Sequence, residues 1–182
     1  DGWVLPVAPM ALLRAGMQHH VPFVIGSNAE ETGQAVPVGS PPTAMGYETA
    51  IRTLFGKALG DAVLAVYPAS DYPTPHLAMV RVTTDARFVC PSRQIARAVA
   101  STQSEHVYRY FFKHTLDNVP PMLKVYGSFH GLELAFVFGH LGGNAYMPSD
   151  GEKALSASMM GYWSRFGSTG DPNGGGATMW PV

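Results

Sequence analysis

His130 sits in Gly127-Ser128-Phe129-His130-Gly131, a glycine-flanked loop that runs into the apolar segment Leu132-Glu133-Leu134-Ala135-Phe136-Val137-Phe138-Gly139. Such a loop can hold an imidazole at the mouth of a site while the apolar segment locks one end in a core. Imidazole titrates near pH ~6.5, so it can both take and return a proton at neutral pH. Far upstream, the apolar run Val21-Pro22-Phe23-Val24-Ile25 passes through Gly26 into Ser27-Asn28-Ala29-Glu30-Glu31. An acid after a strand and a histidine on a later loop are two of the three parts of a hydrolase triad. Glu31 would hold the imidazole tautomer and stabilise the imidazolium, and His130 would be the general base. The same residues also read as a solvated loop carboxylate and a loop histidine satisfied by backbone groups. Spacing alone does not choose between these readings.

The third part, a nucleophile, is missing. A nucleophile elbow needs Gly-x-Ser-x-Gly between a strand and a helix, and no serine here has glycine at both −2 and +2. No His-Gly-Gly-Gly oxyanion loop is present either. Cys90 lies in Phe88-Val89-Cys90-Pro91, which reads as a buried stretch where a thiol is inert packing. No metal site is expected, because no His-x-x-x-His or Glu-x-x-His pair places two ligands on one helical face. Tyr108, Tyr110, Phe111 and Phe112 read first as strand core.

Periodicity supplies the framework around these residues. Val21–Ile25 reads as a buried strand closed by Gly26. Residues 46–56 read as a helix with Tyr47, Ile51, Leu54 and Phe55 on one face. Asp61 to Tyr67 reads as a short helix stopped by Pro68. Residues 75–88 form a helix through Leu77, Val80, Thr84 and Phe88, and Pro91 starts the next one. His106 to Phe112 reads as a strand. Residues 151–166 form a helix stopped by Gly167 and Gly170. Two strands cannot make a stable open sheet without neighbours, so the chain is expected to be part of a larger α/β unit.

Composition bounds the function. The chain has 182 residues, 46% hydrophobic and 14% charged, with a net charge of −1. That is enough for one domain with a core, and it gives no electrostatic reason to bind nucleic acid or an anionic membrane surface. No apolar run reaches bilayer length. The start, Asp1-Gly2-Trp3-Val4-Leu5-Pro6, has no basic n-region or long apolar h-region and no initiator Met. A signal peptide is therefore not expected there, and a processed or excised chain is. The single Cys90 excludes an internal disulfide.

Several blocks, in order, resemble the C-terminal part of the type B carboxylesterases, the cholinesterase-like branch of the α/β-hydrolase fold. They are Asp1-Gly2 with Leu5-Pro6, Gly26-x-Asn28-x-Glu30-Glu31, Thr84-Asp85-x-x-Phe88-x-Cys90-Pro91 and Tyr108-x-Tyr110-x-Phe112. His130-Gly131-x-Glu133-Leu134-x-Phe136-Val137-Phe138-Gly139, Trp163-x-x-Phe166-x-x-Thr169-Gly170-Asp171-Pro172-Asn173 and Trp180-Pro181 complete the set. The resemblance implies an α/β fold with an incomplete sheet and flanking helices. It implies a Ser-Glu-His triad with Glu31 as the acid and His130 as the base, Glu133 lying behind them, and the serine and oxyanion loop in a preceding half absent from this chain. All of residues 1–182 then form the C-terminal portion of one hydrolase domain. Helical segments between 41 and 101 would cover part of the pocket.

The departures from the family pattern narrow the expectation. Thr32 stands where the family often has glycine after the acid. Gln34, Ala35 and Leu132 stand where cholinesterases carry aromatics, which argues for a general carboxylic ester rather than choline esters. Cys90 matches a position that is disulfide-bonded in secreted animal relatives, and composition and short loops look more like bacterial, para-nitrobenzyl-esterase-like members. Cytoplasmic and secreted locations both fit. The rival reading is a non-catalytic interaction or adhesion protein on the same fold, and the upstream serine is what separates the two.

Overall fold

Phe23–Asn28 (β1) and Val107–Phe112 (β2) form a two-stranded parallel sheet, in register from Phe23↔Val107 to Asn28↔Phe112. This computed structural model describes every residue except Asp1, Pro6 and Asn144. The Asp1-Gly2 and Leu5-Pro6 blocks therefore lie partly outside the described residues. β1 starts later and runs further than the sequence suggests. The N–H of Phe23 donates to His106 O at 3.0 Å, and this bond opens the pairing with β2. Gly26 is not a stop. It stays in the strand because the Tyr110 ring lies across it: a Cβ there would come within 2.2 Å of that ring.

Parallel strands need a long crossover, and here it is helical. Pro9–Arg14 (α1) precedes β1, and between the strands come Ala44–Phe55 (α2), Lys57–Val66 (α3), Pro75–Thr84 (α4) and Cys90–Ala100 (α5). α3 begins earlier than the apolar spacing indicates. On α2, Tyr47 and Ile51 are buried one turn apart with Phe55 half-buried, while Leu54 falls beside this stripe and is exposed. α5 lies against both strands and α1 against α5.

The break expected at Pro91 does not occur. A π-helical turn, Asp85–Val89, joins α4 to α5 into one continuous rod. Pro91 has no N–H to offer the carbonyl one turn back, and the extra residue of a π-turn absorbs that missing bond. An extra residue also rotates the downstream side chains by about 100°. Cys90 consequently faces outward and is exposed, against the buried position its apolar neighbours suggest.

After β2 come a 3₁₀ stretch, Pro121–Tyr126, then Leu132–Val137 (α6) and Asp150–Thr169 (α7). α7 starts at a capping box, in which Ser149 Oγ accepts from Glu152 N and the Glu152 side chain accepts from Ser149 N. It runs through Gly167, where the sequence suggests a stop, and ends at Gly170, whose left-handed φ of 77° closes the helix. Two apolar clusters result. One joins β2, α6 and α7 through Phe112, Leu132, Phe136 and Met159; the other joins α2 and α4 through Tyr47, Ile51, Met79 and Val82. No helix of the described residues is long and apolar enough to cross a membrane.

Candidate active site

β1 and β2 end side by side, with Asn28 opposite Phe112. Loops leaving the carboxyl ends of adjacent parallel strands meet in one crevice, the usual place for a site in an α/β sheet. The loop after β1 carries Glu31. The longer segment after β2 returns as the histidine loop and enters α6.

The two loops are laced together by short bonds. Ala29 N donates to Phe112 O at 2.9 Å and faces Ser128 Oγ at 3.1 Å. Glu30 N donates to Ser128 O. In return, Glu30 Oε2 accepts from Ser128 N at 2.9 Å and from Ser128 Oγ at 2.8 Å. Glu30 therefore clamps the loop and is not a second solvated carboxylate. Gly127 is required for this clamp: its φ is +59°, and a Cβ there would lie 2.6 Å from the Glu30 side chain. Gly131, at φ +82°, turns the chain in the left-handed region just before α6.

This lacing brings Glu31 Oε2 to 2.7 Å from His130 Nδ1. The other oxygen, Oε1, accepts the Asn28 N–H at 2.8 Å. The carboxylate is buried, with Glu31 only 7% exposed, and is held from both sides. The imidazole is the opposite: its side chain is 70% exposed. With Nδ1 facing the carboxylate, the outward nitrogen is Nε2, and among the described residues nothing is hydrogen-bonded to it. The Phe88 ring, delivered by the π-turn, sits 5.3 Å from the imidazole, tilted by 47°.

Glu133, in the first turn of α6, accepts a short hydrogen bond from Asn28 Nδ2. It lies near the pair without bonding to the imidazole. Tyr110 is close enough to feel both carboxylates. Burial first, then the charges of Glu133 and Glu31, push its phenol up to about 12, so it stays protonated. Ser128 is two residues from His130, but its hydroxyl is spent on Glu30 and the Phe112 carbonyl. Three supporting residues are not legible from the sequence: Asn28, Ser128 and Phe88. Asn28 and Phe88 stand inside matched blocks, yet nothing in their spacing says what they touch.

One further group of potential ligands is gathered elsewhere. His114, Asp117 and Glu152 place ligand atoms within 4.8 Å of one another. Both Glu152 oxygens are already taken, by Tyr146 Oη, His114 Nε2 and the N–H groups of Asp117 and Ser149. That arrangement ties the segment after β2 to the start of α7. A cavity of about 530 Å³ lies between β2, α7 and the Met179–Pro181 tail, and neither Glu31 nor His130 lines it.

Residues 1–182 match the family model described as the carboxylesterase family. The chain is 31% identical over 200 residues to pyrethroid hydrolase Ces2e of Rattus norvegicus, covering 100% of this chain and 34% of that protein. It is 32% identical over 203 residues to cocaine esterase of Oryctolagus cuniculus, covering 100% of this chain and 37% of that one. It is 30% identical over 201 residues to acylcarnitine hydrolase of Mus musculus, again over 100% of this chain and 35% of the relative. The chain thus spans about a third of the length of these relatives. Helices around a small parallel sheet are consistent with part of the α/β-hydrolase fold that this family implies. The chain belongs to the carboxylesterase family.

Proposed function

We propose that this chain is the C-terminal portion of a serine carboxylesterase domain and supplies two members of its triad, Glu31 as the acid and His130 as the base. The observation that carries this reading is the 2.7 Å contact between a buried Glu31 Oε2 and an exposed His130 Nδ1. A carboxylate on Nδ1–H leaves Nε2 as the basic nitrogen and stabilises the imidazolium when it forms. The nucleophilic serine and the oxyanion donors come from a preceding segment of the same protein.

In that enzyme, His130 Nε2 removes the serine hydroxyl proton as the oxygen attacks the ester carbonyl. The proton then passes to the departing alkoxide, which leaves as the alcohol. Water, deprotonated by the same nitrogen, attacks the acyl-serine, and the carboxylic acid leaves as the serine regains its proton. The substrate is a small carboxylic ester. The names of the relatives point to chemically varied esters, which supports an ester class rather than one compound. Gln34, Ala35 and Leu132 in place of aromatics favour neutral acyl or alcohol groups over a quaternary ammonium. Composition and short loops favour the bacterial, para-nitrobenzyl-esterase-like type, while the relatives named above are mammalian.

The test is hydrolysis of p-nitrophenyl butyrate by the longer serine-bearing protein, by this chain alone and by a His130→Ala form of the longer protein. An active longer protein, with the other two silent, is expected. A long protein whose His130→Ala form keeps full activity overturns the reading. A long protein that is itself silent points instead to the non-catalytic interaction role.

A further inference from the structure

The two loops carrying Glu31 and His130 share one side chain. Asn28 is the last residue of β1 and is completely buried. Its backbone N–H donates to Glu31 Oε1 at 2.8 Å. Its side-chain Nδ2 donates to the carbonyl of Phe129, the residue before His130, at 2.8 Å. The other Nδ2 proton goes to Glu133 Oε2, on the helix just after His130. A single residue thus holds the acid directly and grips the histidine loop both before and after the histidine. The two side-chain bonds span 101 and 105 positions along the chain, so no local turn could replace them.

We propose that Asn28 is the positioning residue of the Glu31–His130 pair, and this rests on reading that pair as acid and base. The chemistry selects this residue type. Both partners, a carbonyl and a carboxylate, are acceptors and need donors, and a carboxamide presents two N–H donors on one nitrogen. Aspartate has the same shape but offers no donor when ionised, and it would set a second carboxylate against Glu133. Leucine fills the space and leaves two buried acceptors unmatched. The remaining atom, Oδ1, is buried without a partner among the described residues. Asn28 therefore acts here through its two donors, while its oxygen is left without a protein partner among the described residues.

The consequence is a coupling that bulk stability does not report. Loss of the two donors releases the Phe129–Gly131 backbone, so the imidazole samples orientations in which Nδ1 no longer faces Glu31. The readout is the His130 Nδ1–H proton in the ¹H–¹⁵N spectrum of the full-length protein that contains this chain, labelled at histidine, beside circular dichroism of the same sample. In Asn28→Ala with near-normal dichroism, exchange of that proton is expected to accelerate by at least about tenfold, or its signal to vanish. An unchanged proton in a folded Asn28→Ala chain overturns the proposal. Should that variant fail to fold, exchange in the unmodified full-length protein at sub-denaturing urea takes its place. The Asn28 Nδ2 protons and the His130 Nδ1–H should open with the same free energy and the same urea dependence. A histidine proton that exchanges while the Asn28 amide stays protected contradicts it. Both readouts are independent of ester hydrolysis. A silent esterase assay beside a positive exchange result therefore removes the esterase reading alone, and an active enzyme whose Asn28→Ala form keeps its kcat removes the positioning role alone.

Discussion

Thr32, the residue after Glu31, is bound to Thr84 on α4: its N–H donates to Thr84 Oγ1 at 3.2 Å, and the two hydroxyls lie 3.1 Å apart. Thr32 Oγ1 also donates to Val80 O at 3.0 Å. The family often has glycine here, which has no hydroxyl to reach a helix. In this chain the acid loop is fastened instead to the rod that also carries Phe88.

That fastening makes Thr84 a support for the acid. Thr84→Val keeps the shape and removes the acceptor for the buried Thr32 N–H. It should destabilise the chain by ~1–3 kcal/mol, read as a lower urea midpoint with an unchanged slope. A shift within error would mean that the Thr32 amide finds another partner.

Phe88 should matter to the histidine and little to the fold. The ring contact with His130 is worth ~0.5–1.5 kcal/mol, so Phe88→Ala is expected to lower kcat of the serine-bearing protein by up to about tenfold. Melting of the isolated chain should fall only slightly, because Phe88 is only half-buried. An equal loss in Phe88→Leu would assign the contact to the aromatic ring, and an unaltered kcat in Phe88→Leu would assign it to apolar bulk instead.

The two glycines flanking the histidine loop should respond differently to alanine. Gly127→Ala meets both the left-handed backbone and the Glu30 side chain, and should cost about 2 kcal/mol or more. For a chain of this size that is a Tm lower by ~4–8 °C. At Gly131 a Cβ meets nothing within 4 Å, so Gly131→Ala bears the backbone term alone and should melt higher than Gly127→Ala.

Acid should loosen the start of α7. Burial drives the Glu152 carboxyl upward, but hydrogen bonds from Tyr146, Ser149, Asp117 and His114 outweigh it and hold the group at about 2, below its ordinary 4.5. A carboxyl with a depressed folded value contributes stability above its unfolded value and loses it as pH falls through the folded one. The full effect is roughly 3 kcal/mol. Urea midpoints should therefore drop between pH ~5 and pH ~2.5 in the unaltered chain, and this drop should be smaller in Glu152→Gln.

Glu31 and His130 stand out in the sequence because each sits in a legible pattern, an acid after an apolar strand and a histidine between glycines. Their 2.7 Å contact is set by what the sequence does not display. Glu30 resembles a solvated neighbour of Glu31 until Ser128 arrives from 98 positions away. Gly26 resembles a strand terminator because its partner, the Tyr110 ring, belongs to another strand. Pro91 resembles a helix start, and the π-turn that accommodates it also sends Cys90 outward. Period and composition report one segment at a time, and each of these departures is a contact between two segments.

The most direct measurement is kcat for p-nitrophenyl butyrate in the serine-bearing protein with Glu31→Gln. The substitution keeps the shape and removes the charge that faces His130 Nδ1. A fall of about 10³–10⁴ is expected, as for loss of the acid in other triads. A kcat within about threefold of the unaltered enzyme would contradict Glu31 as the acid that orients His130.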